Sequence, residues 1–309
     1  MRFLRILTPG IVVAGIWLGG SMTAIAAAPR QLSFSSPEQA TDALVAAAQA
    51  DKTTELVKIL GPMGRRLIYS GDPVADKEGR EKFVSDYAQK HEIEKPSDTK
   101  ALLIVGDDAW PFPIPLVTEG DRWRFDTAAG VDEILNRRIG RNELNAIQVC
   151  AAIADAEHDY ASKDRTGTGY LEYAQKLMSD VGKRNGLYWP VSAGDESPIG
   201  PLVAKARAEG YGPKGTLEKR APYHGYFYKI LSQQGPDASG GAYSYVVNGH
   251  MIGGFALLAF PAKYGDSGVM TFMINQDSVV FEANLGRDTT AIAQKMTTFN
   301  PGAGWIPHQ

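Results

Sequence analysis

The amino terminus constrains this chain more than any other stretch. Arg2 and Arg5 form a short basic head, an apolar run follows through Ile11, Val12, Val13, Ile16, Trp17 and Leu18, and Ala24-Ile25-Ala26 places small residues where a signal peptidase reads. Residues 1–26 therefore read as an export signal cut after Ala26, since a cut after Ala28 would leave Pro29 first. Pro9, Gly10, Gly15, Gly19 and Gly20 break the apolar run short of the roughly 20 residues that a bilayer-spanning helix needs. No stable membrane span is expected once the leader is gone. The leader has no cysteine for lipid attachment, so the expected location is periplasmic or secreted.

No internal disulfide can staple this chain. Its single cysteine, Cys150, lies in an apolar helical run and reads as a small buried hydrophobe. Stability must come from the core, and about 280 mature residues suffice for two units of ordinary size. Removal of Arg2 and Arg5 takes the net charge from −3 to about −5. That balance, with only short basic clusters at Arg137-Arg138 and Lys183-Arg184, argues against nucleic acid or anionic lipid as partners.

The expected fold class is α+β, with residues 32–130 as a first unit, 131–300 as a second and 301–309 as a loose tail. Ser36-Pro37-Glu38-Gln39 opens the first helix with a cap, a proline at the first helical position and a capping-box glutamine. A second helix spans Thr53 to Leu60, and a third spans Asp76 to His91 with Phe83, Val84 and Tyr87 turned inward. Strands follow at Lys100 to Val105, Trp110 to Thr118 and Trp123 to Asp126, with Glu119-Gly120-Asp121 as a hairpin turn. In Trp110-Pro111-Phe112-Pro113-Ile114-Pro115-Leu116 the apolar residues alternate with prolines, which predicts an edge strand that has lost its donors on one side. A polyproline recognition segment is the alternative.

From Val131 the pattern is a long helix, apolar on more than one side, with Gly140 as a bend. A short helix over Leu171 to Met178 is expected next. Strands then run over Tyr223 to Leu231, Tyr243 to Val247, Phe255 to Phe260, Val269 to Ile274 and Ser278 to Glu282. Asn248-Gly249 is the strongest hairpin signal, and Asn275-Gln276-Asp277 is a second turn.

Two resemblances add to this reading. Helices followed by curved antiparallel strands resemble the nuclear-transport-factor-like or cystatin-like cone folds, over roughly residues 32–130. The helix Ala151-Ala152-Ile153-Ala154-Asp155-Ala156-Glu157-His158-Asp159-Tyr160 and the later hairpin around Gly265-Asp266-Ser267-Gly268-Val269 resemble type IV pilin and pseudopilin heads, although here the helix lies mid-chain. Taken whole, the mature chain resembles a bacterial exported family catalogued as domain of unknown function 2950. The match rests on Gly71-Asp72-Pro73-Val74-Ala75-Asp76, the Trp110–Leu116 segment, Trp123-Arg124-Phe125-Asp126, Ile139-Gly140-Arg141-Asn142-Glu143-Leu144, Gly186-Leu187-Tyr188-Trp189-Pro190 and Tyr223-His224-Gly225-Tyr226. That resemblance implies export and carries no activity over.

The chemistry-bearing patterns are thin. Gly265-Asp266-Ser267-Gly268 matches the tetrad around a serine-protease nucleophile, without a histidine motif to serve as base. Asp155, Glu157, His158 and Asp159 crowd one helix at metal-ligand spacing but read as a solvated acidic face. Asp164 to Glu172 has the outline of a calcium loop in which threonines replace the required oxygens, so a Gly-rich turn is the better reading. His250 reads as an exposed turn histidine. No cofactor and no metal site is implied. The leading functional expectation is binding without catalysis, with an unknown envelope protein or small ligand as partner. Trp110, Phe112, Trp123, Phe125, Asp126, Tyr188, Trp189, Tyr223, His224 and Tyr226 are the candidate contacts. The alternatives are a hydrolase with a pocket walled by Trp110, Phe112, Trp123 and Phe125, with Asp126 as base, or a structural partner of an envelope machine.

Overall fold

The computed structural model describes residues 31–190, 196–212 and 221–308, so the expected leader and the expected cleavage site at Ala26 lie outside the described residues. The first helices start as their capping residues dictate. In α1 (Pro37–Gln49) the Ser36 hydroxyl accepts from the Gln39 N–H at 3.1 Å, while the Gln39 side chain reaches one residue further back, to the Ser35 N–H. Next come α2 (Thr53–Leu60), a 3-10 turn at Pro62–Gly64, α3 (Arg65–Ile68) and α4 (Pro73–Gln89), the last capped by Asp72. Phe83, Val84 and Tyr87 of α4 are partly buried against the first core.

The first sheet holds β1 (His91–Ser97), β2 (Lys100–Val105), β3 (Trp110–Pro111), β4 (Leu116–Glu119) and β5 (Arg122–Phe125), every pairing antiparallel. The single edge strand expected over Trp110 to Thr118 is split. β3 and β4 both pair with β2, and the intervening prolines leave the ladder. β4 is paired on both sides, to β2 and β5, because its donors start only after the last proline. Phe112, Ile114 and Leu116 are buried as the alternation predicts, but Pro115 is buried with them, so the strict alternation ends at Ile114. Phe34 exchanges backbone hydrogen bonds with Trp123 and covers the outer edge of β5.

Helix α5 (Thr127–Ala161) is 35 residues long, about 52 Å at 1.5 Å per residue, and continues through Gly140. Val131 and Leu135 near its start belong to the first core, whereas Ala146 to Tyr160 belong to the second. Cys150 is fully buried in that second core, and burial pushes its thiol up. After α5 the chain forms α6 (Gly200–Ala208), β6 (Tyr226–Leu231), β7 (Gln233–Gln234), β8 (Tyr243–Ser244), β9 (Val246–Val247), β10 (His250–Met251), β11 (Ala256–Pro261), β12 (Thr271–Asn275), β13 (Phe281–Ala283), α7 (Thr289–Lys295), β14 (Thr298–Phe299) and β15 (Ile306–Pro307).

The main second sheet is antiparallel, in the order β15-β13-β12-β11-β6. β11 and β12 are buried at every residue, as strands covered on both faces are, and α5 and α7 pack against this part of the sheet. Asn248-Gly249 joins β9 to β10 with positive φ at both residues, the conformation a two-residue hairpin turn prefers. Leu171 to Met178 is not helical. The Tyr173 N–H is taken by Met251 and the Ala174 N–H by Glu157, so neither can serve a helix. β13 starts at Phe281 rather than Ser278, because Ser278 turns in the left-handed region. Part of the tail read as loose is tied down, with Ile306 opposite Glu282 and Pro307 opposite Phe281.

The start of β6 is where the two cores meet. His224-Gly225 forms a second two-residue reversal, with positive φ at both and reciprocal bonds between Tyr223 and Tyr226. A Cβ on Gly225 would lie 2.5 Å from the Asn142 amide nitrogen and 3.1 Å from the Ser267 Cβ. Gly225→Ala is expected to cost roughly 3 kcal/mol or more in urea denaturation, since it adds a buried clash to the left-handed penalty. Gly120→Ala, at φ 67° with open space around it, should cost only about 1 kcal/mol.

Candidate functional site

Two polar constellations stand out, one sealed and one open. The sealed one is centred on Asp72, whose Pro73 neighbour makes it a natural helix cap. One carboxylate oxygen accepts from Ala75 N–H at 3.2 Å. The other accepts from the Tyr211 hydroxyl at 2.9 Å and the Gly225 N–H at 2.8 Å. Tyr211 in turn accepts from the His224 N–H at 3.1 Å, and His224 Nε2 lies 3.3 Å from Glu209. Burial holds the His224 imidazole below its usual range against the opposing pull of Glu209. The Tyr211 and Tyr223 phenols are pushed up, first by burial and then by Asp72 and Glu209 respectively.

Helix α5 completes this joint. Arg138 donates to the carbonyls of Arg66 and Leu67, Asn142 donates to Ser267 O at 2.9 Å, and one Glu143 oxygen accepts from Val269 and Met270 N–H. Arg66 pairs with Asp266 at 2.7 Å, and Lys263 holds the other Asp266 oxygen. Asp76 lies beneath, its carboxyl raised by burial although Arg138 and bonds from Ser70 oppose the shift. The Ser267 hydroxyl is spent on the backbone of Lys263, so the protease-like tetrad is a turn lock.

Of the sequence-level candidates, the joint gathers Tyr223 and His224. Tyr226 is fully buried, donating to Met270 O at 2.9 Å. Phe112 and Phe125 lie in the first core. Trp110 and Trp123 are half-buried, and Trp110 carries the Arg137 guanidinium 5.3 Å from its ring centre. Asp126 precedes α5 and makes no side-chain capping bond. Tyr188 and Trp189 sit in the second core, flanked by Arg207 for the first and by Arg165 and Arg184 for the second. Asp72, Tyr211, Glu209 and Arg138 escaped sequence reasoning. The Asp-Pro cap and the family-like segment Gly71–Asp76 were the signals available, and neither gives a hint of a partner 153 residues away.

The open constellation is a cleft of about 140 Å³ near the end of α5, lined by Tyr160, Thr166, Glu172, Tyr173, Gln175, Lys176 and Asn185. Its loop is held by Asp164, whose carboxylate accepts from the N–H groups of Gly167, Thr168 and Gly169 and is thereby lowered. The Asp164 oxygens therefore serve the turn, and among the described residues no His, Cys, Asp and Glu cluster could hold a metal. Glu172 accepts from Thr166 at 2.7 Å and from His250 Nδ1 at 3.0 Å. His250 is thus a partly buried partner of Glu172 rather than a free turn residue. Burial pushes the Tyr160 phenol up to about 12.

The acidic face expected on α5 needs correction at Glu157. Asp155, His158 and Asp159 are exposed, but Glu157 is fully buried. One of its oxygens accepts from Ala174 N–H at 2.8 Å, and the other has no partner among the described residues. Burial raises this carboxyl well above the usual range.

An α+β protein with two cores threaded by one helix, a sealed polar joint and a small acceptor-lined cleft is the class that fold and site define. The chain belongs to the family described as Protein of unknown function (DUF2950), which it matches over residues 31–307. Neither a curated protein nor a solved structure matches it.

Glu157 generates a pH prediction with a definite sign. Its folded pKa lies above its unfolded value near 4.5, so the unfolded chain loses the proton first as pH rises. Stability is fully present below about 4.5 and falls towards neutral pH, by about 1.4 kcal/mol for each tenfold difference in acidity between the folded and unfolded carboxyl. Glu157→Gln keeps an acceptor for Ala174 and cannot ionise. It should be more stable than the parent at neutral pH, with the gap closing below about 4.5, in chemical denaturation across pH.

Proposed function

We propose that this is an exported protein of the cell envelope or extracellular space that acts by binding, without chemistry of its own, through the cleft side of its second unit. One observation carries the reading. Beside the lining residue Glu172 the chain leaves apolar side chains in solvent: Tyr170 is 50% exposed, its ring 4.5 Å from that of His250, and Leu171 is 62% exposed. Large apolar groups beside a concave polar surface are characteristic of contact sites. The aromatic residues of the first unit are largely committed to core packing, which favours the second unit as the contact surface. A two-unit organisation, with the change-over inside α5 between Leu135 and Ala146, and the cone-like and pilin-like descriptions of the two units, are part of the same proposal. Support for them is the pair of separate cores and the long helix lying on an antiparallel sheet. No helix among the described residues is long and apolar enough to cross a membrane.

A photo-crosslinking residue at Tyr170 and another at Asp132, an exposed site on the first half of α5, test the reading in the native envelope. Adducts are expected from position 170 and not from 132, on a chain whose amino terminus is Ala27. Equal labelling at both positions, or an unprocessed chain in the cytosol, would contradict it.

A further inference from the structure

The second sheet ends in a strand held far more lightly than the sheet it covers. β11 and β12 are buried at every residue, and β13 carries the same sheet to its edge. The backbone of that edge is covered by residues 306–308. Ile306 lies opposite Glu282, Pro307 lies opposite Phe281, and the His308 N–H donates to Val280 O at 2.8 Å. Opposed residues in an antiparallel ladder alternate between bonded and non-bonded pairs. The His308 bond therefore places Phe281 and Pro307 at a non-bonded pair, where a residue without an N–H loses nothing. The missing donor faces outward and closes the sheet to a further strand.

The chain is anchored as far as Gly302 and only lightly beyond it. The Asn300 side chain accepts from the Asp237 N–H and donates to the Asp237 carboxylate, and a Cβ on Gly302 would run into that carboxylate. A single β-turn then reverses the chain, closed by Trp305 N–H to Gly302 O at 3.1 Å with Gly304 at φ 90°. Glycine suits this third turn position because its φ is positive. After the turn, Trp305 is half-buried against the second core, Ile306 is 57% exposed, and Pro307 and His308 are exposed. His308 Nδ1 meets Glu282 at 3.0 Å in a pair open to solvent. Exposed backbone pairs with so little burial belong to the low-stability end of a fold.

Once the segment lifts, β13 is a bare edge on a buried sheet, which is a template for pairing. Among the described residues, the segment that matches this edge in register, proline placement and charge is 305–308, and every copy of the chain carries it. Straightening the turn lets residues 303–306 span roughly 13 Å, enough to reach an edge laid alongside. We propose that two copies exchange segments 303–308 across facing β13 edges, giving a two-fold symmetric dimer in which Trp305 and His308 of each copy pack on the other. Exchange of identical elements repeats the contacts already made within one chain, so the balance is set by concentration and by the turn. The exchange goes beyond the binding reading and does not use the cleft.

Light scattering over a concentration series, joined to cysteine trapping, tests this. The parent chain should form a dimer whose share grows with concentration. In a mixture of Glu282→Cys and Ile306→Cys chains, mild oxidation should join position 282 of one copy to 306 of another, read as linked peptides by mass spectrometry. Asp132→Cys, exposed on the first half of α5, replaces Glu282→Cys in the control and should link far less. Cys150 is fully buried and takes no part. With both cysteines in one chain, oxidation at low concentration ties the segment down, and that form should stay monomeric until it is reduced. Gly304→Ala disfavours the turn of the monomer alone and should tighten dimerisation about thirtyfold, since each copy is relieved of a left-handed residue. A parent chain that stays monomeric at every concentration would overturn the proposal. So would a 282–306 link no more frequent than the control, or a dimer that persists in the oxidised double variant. Crosslinking at position 170 bears on the binding reading alone, so either can fall without the other.

Discussion

One carboxylate, that of Asp72, sits where the two halves of this protein touch, and the rest of the arrangement depends on it. It caps α4, accepts the Tyr211 hydroxyl and accepts the N–H of Gly225 at the reversal that starts the second sheet. With 1% of its surface exposed, it cannot exchange those bonds for water. A buried acceptor that loses a partner costs about 1–3 kcal/mol, and more when it is charged. The joint therefore tolerates little displacement of one core relative to the other.

Helix α5 gives that constraint its reach. It enters the first core at Val131 and Leu135, supplies Arg138, Asn142 and Glu143 to the joint, and then becomes the spine of the second core. In a chain with a single, fully buried cysteine, a shared helix and a buried polar joint perform the coupling that disulfides provide elsewhere. At its far end the same helix buries Glu157 against Ala174 and carries Tyr160 to the cleft. Core, joint and candidate binding surface thus lie along one element.

Local signals were legible in the sequence, and long-range ones were not. The Ser36 cap, β2 and the Asn248-Gly249 turn could be read because each is decided by a few adjacent residues. His224-Gly225 adopts the same kind of reversal, yet a histidine in the left-handed region gives no sequence cue. Its conformation is sustained by partners at Tyr211 and Asp72. Charge patterning failed at Glu157 for a related reason. On the helix it is one acid among several, and only the chain folding back over Ala174 buries it. The aromatic candidates were misleading because tyrosine and tryptophan serve cores and contact surfaces equally well. The family resemblance pointed to Gly71–Asp76, Asn142-Glu143 and Tyr223–Tyr226 as separate segments, and folding brings them to one place.

Native-state hydrogen exchange tests the coupling of the two cores most directly. Amides of β2 and β11, one in each core, should open with the same free energy in the parent chain, as members of one cooperative unit. In Asp72→Ala the two values should separate. Different opening energies in the parent, or equal ones that survive the substitution, would contradict a structure held together at its buried joint.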